Sequence, residues 1–212
     1  MTATRDFAPS PTFMRISKHR LDALTDGLFA IVMTLLVLEL KVPDLPKNAA
    51  AAEIGRALAN NLPVFFSFLI TFMFAALFWY LHHALLNFMR ELPGRFVALN
   101  LAFLFFVCLL PFSVGVLGHF LRNPLAQTIY FANQFAISLL LLILWLAAQG
   151  SQLIIEPSGR EARRFRIRLI ALPAATVLAA GCAWLDPRYS FYAIVVVMVG
   201  SRIYTARMYG KS

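Results

Sequence analysis

Six long apolar segments alternate with short polar connections along this chain of 212 residues. At ~1.5 Å per residue, each segment is long enough to cross the ~30 Å hydrocarbon core of a bilayer as a helix. The segments lack the alternating polar residues of a transmembrane β-barrel strand. The pattern therefore predicts an all-α membrane protein with six transmembrane helices, at about residues 21–42, 57–89, 96–120, 125–149, 167–185 and 189–207.

Prolines and alanines indicate where the predicted helices end. Pro43 and Pro46 are expected to end the first span, and the stretch LPKNAAAAEIGRALANN suits a short helix at the membrane surface. No internal repeat and no second domain is apparent. Kinks or breaks are expected at three prolines that lie in or near predicted helix ends, namely Pro111, Pro173 and Pro187.

The composition supports a membrane protein and argues against a nucleic-acid partner. Hydrophobic residues make up 60% of the chain and charged residues 14%, whereas soluble domains are about half apolar and about a quarter charged. A net charge of +9 would suit a nucleic-acid-binding protein, but Lys and Arg occupy the gaps between apolar segments, where they set membrane topology. Cys108 and Cys182 lie inside apolar segments and are expected to be small buried residues without a disulfide or metal.

The positions of Lys and Arg also predict the orientation. Fourteen of them lie on the side of the two termini and five on the other side, so both termini are predicted to be cytoplasmic. The even number of spans agrees with this orientation. We expect a cytoplasmic arm at residues 1–19, a six-helix membrane domain at 20–208 and a short cytoplasmic tail at 209–212. The first apolar run is too long for a signal peptide and is kept as a helix.

Motifs of enzymes and of common cofactor sites are absent from the sequence. No H-E-x-x-H, C-x-x-C, G-x-S-x-G or glycine-rich phosphate loop occurs, so we expect neither an enzyme nor a cofactor. His82 and His83 are adjacent and point ~100° apart on a helix, so they do not readily hold one metal ion together. We expect one of them to pack in the bundle, the other to face the headgroups, and no metal site. The T-V-G-Y-G potassium filter is also missing, so any sorting of ions must fall to side chains.

The first predicted helix has one continuous aliphatic face. At ~100° per residue, the residues of this face project within about 40° of the direction of Leu24. Asp26 lies about 140° from Ile31, and an acid at this depth is expected to face other helices, where it finds partners. The aliphatic face is suited to lipid, to the protein core or to a symmetry axis, and periodicity alone favours lipid or core. This stripe consists of Leu24, Ile31, Leu35, Leu38 and Val42.

The sequence RLDALTDGLFAIVMTLLVLELKVP at residues 20–43 carries a longer pattern. It resembles the signature R-x-x-x-F-S-D-x-x-x-A-I-x-x-T-L-L-x-L-x-x-x-x-P of the transmembrane protein 175 family of potassium channels, which occurs in endolysosomes and in prokaryotes. Leu24 and Thr25 replace the phenylalanine and serine of the signature. FWYLHH in the second helix, LNLAFLFFVCLLPF in the third and the six-helix count are similar to the same family. The matching positions are Arg20, Asp26, Ala30, Ile31, Thr34, Leu35, Leu36, Leu38 and Pro43.

The resemblance implies an architecture and roles for individual residues. Prokaryotic members have one six-helix unit per chain, and four chains surround a central pore that the first helix lines. Ile31, Leu35 and Leu38 match the apolar constriction of the family, and Thr34 matches a threonine that contributes to selectivity in some members. A polar network that ties the first helix to its neighbours is implied for Arg20, Thr25 and Asp26, with His82 or His83 and Asn100 as partners across the bundle.

The implied function is that of a homotetrameric cation channel in the inner membrane of a prokaryotic cell. It would conduct K⁺ passively, with weak to moderate preference over Na⁺, would bind no cofactor, and would use the aliphatic constriction as gate and selectivity element. A proton-coupled or cation transporter that uses Asp26 and the second-helix histidines remains an alternative, although inverted repeats and broken helices are not apparent. A small membrane enzyme with the same residues in its site is a third reading.

Overall fold

The computed structural model describes residues 17–89, 92–150 and 159–209, so most of the predicted N-terminal arm and tail lie outside the described residues. The first helix continues into a 3₁₀ turn at Leu36–Glu39. Nearly all of the described chain is helical, which confirms the predicted class. The helices are α1 (Lys18–Leu35), α2 (Ala51–Asn60), α3 (Leu62–Asn87), α4 (Gly94–Cys108), α5 (Leu110–His119), α6 (Pro124–Gly150), α7 (Gly159–Leu185) and α8 (Ser190–Tyr209).

Six helical segments of the described chain are long and apolar enough to cross a membrane. They are α1 with its 3₁₀ turn, α3, α4 joined to α5, α6, α7 and α8. Four of them start and end within about three residues of the expected bounds. The short helix α2 stands in the alanine-rich connection where a helix was expected, and none of its residues is buried.

Two spans differ from the sequence-based bounds for identifiable reasons. The second span begins at Leu62 instead of near residue 57, because α2 occupies residues up to Asn60 and Pro63 then stands in the first turn of α3, where proline is tolerated. The fifth begins at Gly159 instead of near residue 167, because the arginine-rich stretch before the apolar run is also helical. Charged residues with high helix propensity extend a helix beyond the hydrocarbon region.

The prolines and cysteines show where local expectations hold and where they fail. Pro111 lies in the first turn of α5, just after the break between α4 and α5, as expected for a proline. Pro173 was expected near a helix end, but α7 continues through it and buries it. Cys108 was expected to be buried and is exposed on the single chain, because it ends α4 on an outer face; Cys182 is half-buried, and both thiols are free.

The core lies where α1, α3, α4, α6 and α7 meet. The Phe29 ring of α1 packs 6.0 Å from the Phe103 ring of α4, between ring centroids. The helices α6, α7 and α8 pack side by side, and α8 buries little of its surface. The largest fully buried side chains include Trp145, Tyr130, Phe29, Phe78, Phe96, Phe103 and Phe131.

Two glycines of α5 allow close approach of neighbouring elements. A Cβ atom on Gly118 would lie 3.3 Å from the Cα of Val64, so α5 and α3 nearly touch backbone to backbone. A Cβ atom on Gly115 would lie 2.7 Å from Oε2 of Glu39, so the carboxylate of the 3₁₀ turn rests against α5. The first contact packs α5 against α3, and the second holds the end of the first span against α5.

Candidate functional site

The aliphatic stripe of α1 faces away from the core of its own chain. Leu24, Ile31, Leu35 and Leu38 keep between 41% and 66% of their surface exposed, and Val42, beyond the helix, is 90% exposed. The opposite face of α1 is buried, through Leu21, Thr25, Phe29, Val32 and Leu36. A helix with one buried and one bare apolar face must meet lipid or another chain with the bare face. The reading of the stripe as core is therefore excluded for the single chain.

Thr34 introduces a hydroxyl group on this exposed side of the helix. Its Oγ1 donates a hydrogen bond to the carbonyl oxygen of Ile31, 2.7 Å away, which satisfies the donor within the helix. The oxygen of the hydroxyl keeps acceptor capacity. The exposed face of α1 is thus aliphatic at Ile31, Leu35 and Leu38, with one hydroxyl among these residues.

The helix tightens where the stripe reaches Leu38. Residues Leu36–Glu39 form a 3₁₀ turn, whose last residue rests on Gly115 of α5. A 3₁₀ turn advances ~2.0 Å per residue with three residues per turn, so side chains rotate further per residue than in an α-helix. Leu38 nevertheless stays on the exposed side, whereas Leu36 is fully buried.

A buried chain of polar contacts connects α1, α3 and α4 beneath the stripe. His82 Nε2 of α3 lies 2.5 Å from Asn100 Oδ1 of α4, and Asn100 Nδ2 donates to Thr25 Oγ1 of α1 at 3.5 Å. Thr25 in turn donates to the carbonyl oxygen of Leu21 at 2.9 Å. Since an amide oxygen accepts hydrogen bonds, His82 carries its proton on Nε2. The His82 ring also stacks on Phe103, with centroids 5.0 Å apart and planes 12° apart, which fixes its orientation.

The acids of α1 lie in a second, more exposed group. Asp26 Oδ1 accepts a hydrogen bond from Trp79 Nε1 of α3 at 2.8 Å. His83 Nδ1 lies 3.7 Å from Asp22 Oδ1, and the His83 ring stacks on Trp79 with centroids 6.0 Å apart. One ligand-capable atom each of Asp22, Asp26 and His83 lies within 4.8 Å of the others, the arrangement in the described chain that comes nearest to a metal site.

The structure thus divides the residues expected to form one network. Thr25, His82 and Asn100 are joined, while Asp26 and His83 belong to the neighbouring group with Asp22. Arg20 is exposed, and among the described residues no hydrogen bond or ion pair joins its side chain to either group. The two histidines point to different groups, so they do not share an ion; the absence of a metal stays a prediction.

Trp79 and Asp22 were not assigned to the predicted network from the sequence, although both contribute to this site. The Trp79 indole N–H is a donor that needs an acceptor in an apolar helix, and Asp26 is an acceptor on the preceding apolar helix. That complementarity was the available signal. Asp22 lies one turn before Asp26 on α1 and shares its face, as the i, i+4 spacing indicates.

Comparison with known proteins places this helix arrangement in a family. The family model described as the endosomal/lysosomal potassium channel TMEM175 matches residues 20–111, which contain the motif and both polar groups. A potassium channel of Chamaesiphon minutus is 30% identical over 146 residues, which are 67% of this chain and 71% of that protein. The chain belongs to the TMEM175 family. It is an integral, multi-pass membrane protein, and since the family is one of ion channels, the expectation that it is not an enzyme is confirmed.

Other relatives are matched over different shares of their length. A potassium channel of Streptomyces collinus is 27% identical over 173 residues, which are 79% of this chain and 82% of that one. A potassium channel of Chryseobacterium sp. is 34% identical over 113 residues, and the chain spans 55% of its length. The human endosomal/lysosomal proton channel TMEM175 is 30% identical over 190 residues. The matched part is 38% of the length of that protein.

Solved structures share the TMEM175 fold. The crystal structure of a lysosomal potassium-selective channel TMEM175 homolog from Chamaesiphon minutus aligns with a TM-score of 0.76 at 24% identity, over 89% of this chain and 97% of that one. The crystal structure of a variant of the potassium channel MtTMEM175 aligns with a TM-score of 0.62 at 18% identity, over 96% of this chain and 99% of that one. The six-helix fold expected from the resemblance is confirmed.

Proposed function

We propose that four copies of this chain form a potassium-permeable cation channel with α1 at the centre. The observation that carries the proposal is the bare aliphatic face of α1, which its own chain leaves without a partner at Ile31, Leu35 and Leu38. One stripe on one helix cannot enclose a pore, whereas copies related by rotation present the same face to a common axis. The relatives named as potassium channels support the choice of permeant ion.

The proposed gate and selectivity element is the ring of side chains at Ile31, Leu35 and Leu38. Aliphatic groups offer water no hydrogen bonds, so a narrow ring empties of water and blocks ions. In a slightly wider ring, ions pass after losing part of their hydration shell. K⁺ holds its water less tightly than Na⁺ and crosses more readily, which gives weak to moderate selectivity without a carbonyl filter. The acceptor oxygen of Thr34 lies on the same face and assists a partly dehydrated cation.

The two polar groups would support the pore helix from behind. Thr25, Asn100 and His82 tie α1 to α4 and α3, and Asp26 ties it to Trp79. Fixed in this way, α1 presents its aliphatic face at a constant rotation. We propose that the channel lies in the inner membrane of a prokaryotic cell. We further propose that both termini are cytoplasmic, because Lys and Arg are concentrated on their side of the membrane.

Cation flux through purified protein in liposomes tests this function. With a K⁺ or Na⁺ gradient as the only driving force, we expect passive K⁺ flux that exceeds Na⁺ flux. Ile31→Asn puts amide groups into the ring, keeps it wet, and should raise Na⁺ flux and shrink the advantage of K⁺. Leu35→Asn and Leu38→Asn give graded comparisons along the same stripe.

A matched control separates the ring from general damage to the bundle. Ile203→Asn makes the same chemical change at an exposed position of α8 and should leave flux and selectivity as in the unaltered protein. Unchanged flux and selectivity in all three well-assembled stripe variants would mean that the stripe is not the gate.

A proton-coupled transporter remains the second candidate, because Asp26 and His83 lie together in one group with Asp22. The same liposomes distinguish it. A transporter needs a proton gradient to accumulate K⁺ and loses that coupling in Asp26→Asn, whereas a channel dissipates a K⁺ gradient at any proton gradient. His82 does not fit a shared carrier site with Asp26, since it is buried against Asn100.

A further inference from the structure

Three arginines of two helices line one small cavity at the end of the bundle where α1 begins. Arg164 and Arg168 come from α7 and Arg202 from α8, and Thr205 and Ala206 also line the cavity. The cavity has a volume of about 350 Å³, and the described residues that line it include no Asp or Glu. Three guanidinium groups around one small cavity favour a ligand that carries negative charge.

Membrane topology alone does not explain this arrangement. Five arginines stand at the start of α7, and any of them satisfies the preference for positive charge on the cytoplasmic side. Arg163 and Arg166 are exposed, whereas Arg164 and Arg168 are half-buried, one helical turn apart on the face toward α8. Arg202 approaches from α8 and adds a third guanidinium. The convergence of three charges is a property of the fold and not of the charge count.

The chemistry of these side chains defines what fills the cavity. A guanidinium group has five N–H donors and no acceptor, so a ligand must accept hydrogen bonds. The Nε atom of Arg168 is buried and has no hydrogen-bond partner among the described residues. The planar fork of arginine matches the oxygens of a phosphate group in bidentate contacts.

We propose that the cavity formed by Arg164, Arg168 and Arg202 binds a phosphate group. The group reaches the site either on the head of an anionic phospholipid or as free phosphate. The lipid source fits the place of the cavity, about one to two and a half turns inside the ends of α7 and α8, near the headgroups of the predicted cytoplasmic leaflet. The site is separate from the stripe of α1, and the proposal does not depend on the channel function.

Thermal unfolding of the purified full-length chain in neutral detergent, with added ligands, tests the proposal. Phosphatidylglycerol is titrated against phosphatidylcholine, and inorganic phosphate is titrated against chloride at equal ionic strength. A rise in unfolding temperature with phosphatidylglycerol alone identifies a lipid, and a rise with inorganic phosphate alone identifies a soluble anion; either result supports the site.

The variants compare arginines that differ only in where they point. In the double variant that combines Arg164→Gln with Arg168→Gln, we expect the apparent affinity for phosphatidylglycerol or phosphate to fall on the order of tenfold or more. The pair Arg163→Gln with Arg166→Gln removes the same charge from the same helix and should retain the response. Arg202→Gln, on the other helix, tests the same cavity if the first pair fails to fold. Arg168→Lys keeps the charge but loses the fork, and should bind at an intermediate strength.

The outcomes that overturn the proposal are direct. The proposal is wrong if neither phosphatidylglycerol nor phosphate stabilises the unaltered protein. It is also wrong if Arg202→Gln responds like the unaltered protein, or if the exposed pair loses the response as fully as the cavity pair. The last result would mean general attraction between a basic surface and anions instead of a defined site.

Discussion

Replacing Asn100 with leucine tests whether the buried polar contacts hold α1, α3 and α4 together. Asn100 is fully buried, lies at hydrogen-bond distance from His82, and donates to Thr25. Leucine has the same branched shape and the same number of side-chain heavy atoms as asparagine and is somewhat larger, so the change opens no cavity. It leaves the Nε2–H of His82 in the core without an acceptor. We therefore expect Asn100→Leu to lower the stability of the bundle.

The size of the loss follows from the individual contacts. A buried donor left without a partner costs ~1–3 kcal/mol. The contact with Thr25 is at the outer limit of a hydrogen bond, at 3.5 Å, and the Thr25 hydroxyl still donates to the carbonyl oxygen of Leu21. Nearly all of the loss should therefore come from His82, about 2 kcal/mol. For a chain of this size, that lowers the unfolding midpoint by about 4–8 °C.

Thermal unfolding of detergent-purified variants, followed by the fraction that remains monodisperse, measures this effect. One detergent and one heating rate are needed throughout, because unfolding of such proteins is often irreversible. Asn87→Leu, at an exposed position of α3, makes the same substitution away from the network and should unfold like the unaltered protein.

A second variant tests the reason for the loss. His82→Phe combined with Asn100→Leu removes both polar partners, and a phenyl ring at position 82 retains the stacking on Phe103. Because an apolar pair leaves no orphaned donor, the double variant should recover most of the stability. Two results would refute the reasoning: Asn100→Leu unfolds like the unaltered protein, or the double variant is as unstable as Asn100→Leu alone.

Two further predictions concern assembly. In a background without the native cysteines, Leu35→Cys and Leu38→Cys should crosslink between subunits, whereas Leu36→Cys, on the buried face, should not. The crosslinks are measured on denaturing gels. Crosslinks at all three positions, or at none, would contradict a central α1. Asp26→Ala should reduce assembly more than it changes selectivity, because the Trp79 N–H loses its acceptor at a cost of about 1 kcal/mol. Assembly is measured by size-exclusion chromatography and selectivity by cation flux into liposomes. Normal assembly together with lost selectivity would place Asp26 in the ion path.

The number of spans and the two faces of α1 could be predicted from sequence for a simple reason. An apolar run of some twenty residues in lipid has only the helix available to it, so each run indicates one span. Within α1, the 3.6-residue period separates Ile31 and Leu35 from Phe29 and Val32, and the structure leaves the first two exposed and buries the others. Local rules were sufficient because each of these features belongs to one helix.

Features that depend on two helices were not predictable in the same way. Periodicity left open which histidine joins the buried network, and the rotation of α3 against α4 directs His82 to Asn100. The same rotation brings Trp79 to Asp26, a contact that the pattern of either helix alone does not specify. Asn100 itself was indicated by the resemblance and not by its position on α4. Pairwise contacts require the relative orientation of helices, which a single sequence does not record.

The free-standing helix α2 offers experimenters a place to attach a label. The turn that precedes it exposes Lys47 and Asn48, and no residue of α2 is buried. The amide of Asn61 donates to the carbonyl oxygen of Lys41 at 3.2 Å, so the loop is closed at its base, independently of the turn. A short epitope inserted between residues 47 and 48 would extend away from the bundle without separating α1 from α3. Antibody staining of intact and permeabilised cells would then show directly which side of the membrane this loop occupies.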